Sequence, residues 1–210
     1  MRRSLLVVGL VCLSVLAGCS GGGPAPVTVE GTPATVPSAI LSDVGYEDAG
    51  TTERRVNTTL TVTIQGDIEG RASQPVNATI PVSTYRRQTG SGPAIISVTA
   101  SPSVAVVENP RTTADPLGEY GPAALLAFAQ SAYSEADLEQ RGSSDVALLN
   151  TTGTMRTYRG TAVRDGERTQ VTVHIVEATH RDDVVRVVAV HPATVDERDR
   201  IRRLVGRLRH

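Results

Sequence analysis

The residues with the widest chemical range in this chain are two histidines, His174 and His191, on either side of Arg181-Asp182-Asp183. If Asp182-Asp183 is a two-residue turn between two strands, His174 falls opposite His191. Side chains in cross-strand register lie within about 5.5 Å at Cβ, near enough to share a metal. Thr157 is the expected neighbour on the next strand, and His180 lies farther along the same face. The pair thus lacks a third ligand, which makes it a weak candidate for metal and a better one for a structural or surface contact. Missing residue types exclude other chemistry. All 21 basic residues are arginine, so there is no lysine for a phosphate-binding loop or a Schiff base. Neither His-Glu-x-x-His nor Gly-x-Gly-x-x-Gly occurs. No catalytic residue and no cofactor are assigned, and an enzyme is not expected.

Two further segments collect charge. The proline-rich stretch Glu108–Gly121 carries Arg111, Asp115, Glu119 and Tyr120. It reads as a rigid, irregular loop, the kind of element that can carry a ligand site. The last helix places Asp196, Glu197 and Asp199 first and Arg202, Arg203 and Arg207 last, the order that the helix dipole favours on a solvated face. Nucleic-acid binding would need aromatic side chains interleaved with the bases, and the chain has one Phe, five Tyr and no Trp.

Two cysteines remain, Cys12 and Cys19. Leu5–Leu16 is an apolar run of 12 residues after Met1-Arg2-Arg3. That is too short for a span of about 20 helical residues, but it is the length of a signal-peptide core. Leu16-Ala17-Gly18-Cys19 at its end resembles the lipobox of prokaryotic lipoproteins. The resemblance implies cleavage after residue 18, with Cys19 lipidated as the first mature residue and holding the protein to the outer side of the cell membrane. Residues 19–26, Gly-rich and then Pro-rich, would be a flexible tether, leaving 27–210 as a single domain. Once Cys12 is removed and Cys19 modified, no thiol remains, so disulfides and cysteine ligands cannot hold the body together. Its charge is then near balance, 19 arginines against 22 acidic residues. Three of the four asparagines, Asn57, Asn77 and Asn150, open Asn-X-Thr triplets, possible N-glycosylation sites for an exported chain.

Strand periodicity positions these residues. Val56, Thr58, Leu60, Val62 and Ile64 alternate with Asn57 and threonines. Ile68 to Val82 alternates likewise, with Asn77 on the wet side. Matching the two dry faces puts Ile64 opposite Ile68 across a three-residue loop, Gln65-Gly66-Asp67. A third run covers Ile96 to Val106. From Pro122 the period becomes helical for about 13 residues. Strands resume at Val146–Leu149, Thr154–Arg164, Glu167–His180 and Val184–His191, with Asp165-Gly166 a hairpin turn. A short helix covers Pro37–Val44, with Gly45 as its cap, and a last helix spans about Asp196–Leu208.

The expected fold class is α+β, an antiparallel sheet of about six to seven strands with helices packed on it. The lipobox, the Ala39–Glu47 segment and the C-terminal hairpins ending at Val190-His191-Pro192 resemble a family of secreted haloarchaeal lipoproteins of unknown function. The element order resembles the PsbP-like sandwich. Two functions are consistent with this: a non-catalytic surface module that binds or assists another envelope protein, or an extracytoplasmic binder of a small solute or metal ion.

Overall fold

The computed structural model describes residues 24–64 and 70–210. Cys12, Cys19 and the expected loop Gln65-Gly66-Asp67 lie outside the described residues. In chain order the elements are β1 (Val27–Glu30), α1 (Ser38–Val44), β2 (Glu47–Ile64), β3 (Gly70–Thr89), β4 (Gly92–Pro102), β5 (Val104–Glu108) and β6 (Arg111–Ala114). There follow α2 (Pro122–Ala129), β7 (Ser134–Leu148), β8 (Thr151–Arg164), β9 (Glu167–His180), β10 (Asp183–Pro192) and α3 (Arg198–Val205). Eight strands form one sheet, ordered β2-β3-β4-β10-β9-β8-β7, with β1 beside β3 where β4 has ended. All the ladders are antiparallel except β1–β3, which is parallel, so the sheet is mixed. Four residues without a hairpin turn give no local signal for such pairing.

Alternating strands with apolar residues on both faces must be covered on both sides. On one face Val98, Val176, Val187 and Ala189 pack against Leu41 and Val44 of α1 and Ile201, Leu204 and Val205 of α3. On the other, Ile80, Ile95, Val173, Ile175 and Val188 pack against Leu125, Leu126 and Ala129 of α2. The β5–β6 hairpin closes that side, joining Val104 to Val56 and Leu60.

Several expectations are corrected. Ile64 pairs with Gly70, not Ile68, and Val56 with Ala78. The shift is two residues, so each side chain keeps its expected face and periodicity could not detect it. The third run divides at Pro102, which has no N–H to extend a ladder; Val104 and Val106 belong to the separate two-stranded hairpin. That hairpin also occupies the start of the stretch expected to be irregular. α2 ends at Ala129 rather than near 134, because Gln130 takes an extended backbone. The Gln130 amide donates to the carbonyls of Leu126 (3.3 Å) and Tyr133 (2.8 Å), and its oxygen accepts the Tyr133 N–H at 2.9 Å. α3 is likewise shorter, but Ile201, Leu204, Val205 and Leu208 are all buried as one stripe.

The largest difference is β7, which begins at Ser134 rather than Val146. Its register slips between Gln140 and Gly142. Arg141 is therefore an extra residue, and side chains before it exchange faces with those after it. Leu138 and Val146 are both even-numbered, yet they pack in opposite layers. No single alternation runs through the strand. A second slip lies between Ser134 and Asp137, and there the backbone closes over Gly160. A Cβ at Gly160 would lie 1.8 Å from the Asp137 carbonyl oxygen, whereas one at Gly142 would meet nothing within 4 Å. Gly160→Ala should therefore cost about 1–3 kcal/mol, and Gly142→Ala less than about 0.5 kcal/mol. Urea denaturation of the two variants checks this, and equal effects would contradict the bulged register.

Candidate functional site

The turn between β9 and β10 is Arg181-Asp182, with Arg181 in the left-handed region at φ 56°, so Asp183 pairs with His180. The expected turn one residue later is corrected by this geometry. His174 lies opposite Ala189, and His191 opposite Thr172. The histidines are therefore diagonal neighbours on one face, and their rings are long enough to span the diagonal.

They meet through their Nε2 atoms at 3.3 Å. The Pro192 carbonyl, 3.0 Å from His191 Nδ1, can only accept, so that nitrogen carries the proton. His191 Nε2 then accepts from His174 Nε2–H, and His174 Nδ1 accepts from the Thr157 hydroxyl at 3.0 Å. This gives one directed chain, Thr157 to His174 to His191 to Pro192, with both rings neutral. Ring centroids 5.4 Å apart, with planes 21° from parallel, fit rings meeting edge to edge, as the hydrogen bond requires. Burial, reinforced by His191 and the Arg198 guanidinium, lowers the His174 pKa to about 4; burial also pushes His191 down. A cation would have to displace the shared proton. No group of three His, Cys, Asp or Glu side chains suited to a metal exists among the described residues.

Beside the pair, the sheet face opens into a polar groove of about 830 Å³ under α3. A smaller cavity of about 230 Å³ reaches the histidines, Thr172, Thr194 and Asp196. Thr157, Arg159 and Arg198 line both, so the two form one concave surface. The β7 bulge and the small Gly142-Ser143-Ser144 segment leave this room. Arg141 pairs with Glu139. Arg202 donates to Ser144 Oγ at 2.7 Å and to the Asp145 carbonyl at 3.3 Å. The Arg159 and Arg198 side chains have no hydrogen-bond or ion-pair partner among the described residues. Both are exposed.

Residues 33–209 match the model of a family described as Domain of unknown function (DUF6517). The chain belongs to that family. No curated protein matches it. His174, His191, the groove and the three helices of the described residues lie within the DUF6517 span.

Among the described residues of the DUF6517 domain two charges are buried, Glu197 and Arg186, and neither is among the site residues expected from the sequence. Glu197, fully buried, accepts from Arg87 of β3 and from the Tyr46 hydroxyl at 3.0 Å. Burial and the adjacent carboxylate raise the Tyr46 pKa, and the hydrogen bond to Glu197 raises that of Arg87. On the opposite face Arg186, only 3 % exposed, bonds Asp115 and its ladder partner Glu177. Arg186 did carry a signal, since a charge within Val184-Val185-Arg186-Val187-Val188 must be paired if the strand is covered on both faces. Asp115, from the candidate loop, is thus committed to Arg186. Tyr120 packs edge-on against Phe128, while Arg111 and Glu119 are exposed, so the four loop residues do not converge. Asn57 and Asn77 are direct ladder partners, both exposed, and Asn150 is exposed in the β7–β8 turn.

The His174 pKa lies below its ordinary value, so the unfolded chain binds more protons between about 4 and 6.5. Its contribution to stability is complete above about pH 6.5 and declines as pH falls toward about 4. The urea midpoint should therefore drop between about pH 7 and pH 5, and His174→Gln should reduce that drop. At neutral pH, ¹⁵N shifts should report Nε2–H on His174 and Nδ1–H on His191; an imidazolium on either would contradict the chain.

Proposed function

We propose that this protein is a non-catalytic binding module, held to the outer side of the cell membrane by a lipid on Cys19 and meeting its ligand in the groove beneath α3. The observation that carries the reading is two exposed arginines without partners, Arg159 and Arg198, at the junction of two connected cavities. Unpaired guanidinium groups over a concave surface suit recognition better than scaffold. The anchor rests on Leu16–Cys19 and on the apolar run before it. Support also comes from the exposed stretch Pro24–Pro26, which leads directly into β1 at the sheet. No helix among the described residues is long and apolar enough to cross a membrane, which agrees with a lipid as the attachment. A sheet covered by helices on both faces suits the PsbP-like sandwich and the secreted haloarchaeal lipoproteins that the sequence resembles.

Of the two expected roles, the geometry favours capture of a small or extended ligand over docking of a flat protein surface, because the surface is concave and its two cavities share Thr157, Arg159 and Arg198. Metal binding at His174 and His191 is the weaker form of that role, since all four imidazole nitrogens already have partners.

Fractionation of cells carrying wild type or Cys19→Ser, with intact mass of the native protein, tests the anchor. The wild type should sediment with membranes and begin at Cys19 with added lipid mass, and Cys19→Ser should leave that fraction. The same mass reports glycans on Asn57, Asn77 or Asn150. A native polypeptide beginning at Met1, unmodified, and a variant that fractionates like wild type would overturn the reading.

A further inference from the structure

The smaller cavity is lined by two kinds of polar group, guanidinium donors and oxygen acceptors. Arg159 and Arg198 line it, both exposed and without side-chain partners among the described residues. The same lining holds the buried Thr172 and the exposed Thr194 and Asp196; the Thr194 hydroxyl donates to Ser91 Oγ at 2.9 Å, and Asp196 accepts the Arg198 backbone N–H at 3.0 Å. Arg198 lines the same cavity as His174 while remaining exposed. The histidine pair lends no charge and no free nitrogen. It forms a neutral, rigid wall, with its hydrogen bonds directed along the sheet.

A guanidinium pair grips a carboxylate or a phosphate through paired N–H donors. The oxygen-bearing lining residues distinguish these ligands. Asp196 would repel a compact dianion filling the cavity, but it accepts from hydroxyl groups, as do the threonine oxygens. At about 230 Å³ the cavity lies below the usual drug-sized range and suits one small ring. It opens into the groove of about 830 Å³, which leaves room for further units of a chain.

We infer that the groove binds a hydroxylated carboxylate of the sugar-acid class, its carboxylate between Arg159 and Arg198 and its hydroxyls toward Thr172, Thr194 and Asp196. This rests on the reading of the groove as a binding surface and adds the ligand's chemistry to it. The acid is either free or one unit of an acidic glycan, and the larger groove is where the neighbouring units of such a glycan would lie.

Calorimetric titration of the full-length protein in mild detergent tests this, with glucuronate, glucose, inorganic phosphate and a tetragalacturonate as probes. Glucuronate should bind saturably, and glucose should bind at least about tenfold more weakly. Arg159→Ala and Arg198→Ala should each weaken glucuronate by about tenfold or more, the loss expected for a hydrogen bond to a charged group. Arg55→Ala, on the remote β2 strand, should leave binding unchanged. Both groove arginines are exposed, so their variants should retain the wild-type melting temperature, which is measured alongside. Tetragalacturonate binding well above the monomer identifies a glycan as the source, and equal binding identifies the free acid. The inference is overturned by equal affinity for glucose and glucuronate, by absence of saturable binding, or by phosphate binding as tightly with the same loss in both variants. These outcomes are independent of where Cys19 leaves the protein, so failure here is distinguishable from failure of the anchor.

Discussion

A carboxylate with no access to water must be met by donors that the fold supplies, and Glu197 is such a group. It lies at the turn into α3 and draws together Arg87 from β3 and Tyr46 from the junction of α1 and β2. Desolvating one ion costs several kcal/mol even after relaxation, so this arrangement holds only where all three partners are in place. α3 is therefore docked in one orientation. Arg198 follows Glu197 directly and Arg202 lies one turn on, where it bonds Ser144 and Asp145 of β7, so that both line the groove. His191 is the penultimate residue of β10, the strand that leads toward the same turn, so the histidine chain and the groove share one support.

The rest of the stability is aliphatic. A buried valine or isoleucine contributes about 1.5–3 kcal/mol, and the two layers are built almost wholly from such side chains. Two-sided coverage lets a chain without disulfides in its body fold on burial alone. The sheet's outer strands, β2 and β7, are polar along most of their length and each carries an irregular register. Charge and bulges of this kind discourage pairing with a further strand. The exposed face of β7 is thus better suited to side-chain recognition, as in the groove, than to main-chain pairing.

How much of this was legible follows from what each signal measures. Alternation in Val56–Ile64 and the stripe Ile201, Leu204, Val205 and Leu208 reported faces correctly, because burial acts on each side chain separately. Register was off by two at both hairpins, between Ile64 and Gly70 and between His180 and Asp183, because a shift of two preserves every face. The histidines were still brought together, since a diagonal pair is within reach of two imidazoles. The first half of β7 was invisible, because the bulge at Arg141 reverses the alternation. The groove was invisible for the same reason: it exists only where that reversal and the end of α3 leave β8 uncovered. Glu197 looked like one acid among several at a helix start, and only long-range contact with Arg87 sets it apart.

A double-mutant cycle on Arg87→Met and Glu197→Gln, read by urea denaturation, tests most directly whether that contact pins α3. The pair should show a coupling free energy of about 2 kcal/mol, within the range for residues sharing one network. Each single variant should be more destabilised than its share in the double. Strictly additive effects would mean that α3 is held by its apolar stripe alone, and would contradict the account.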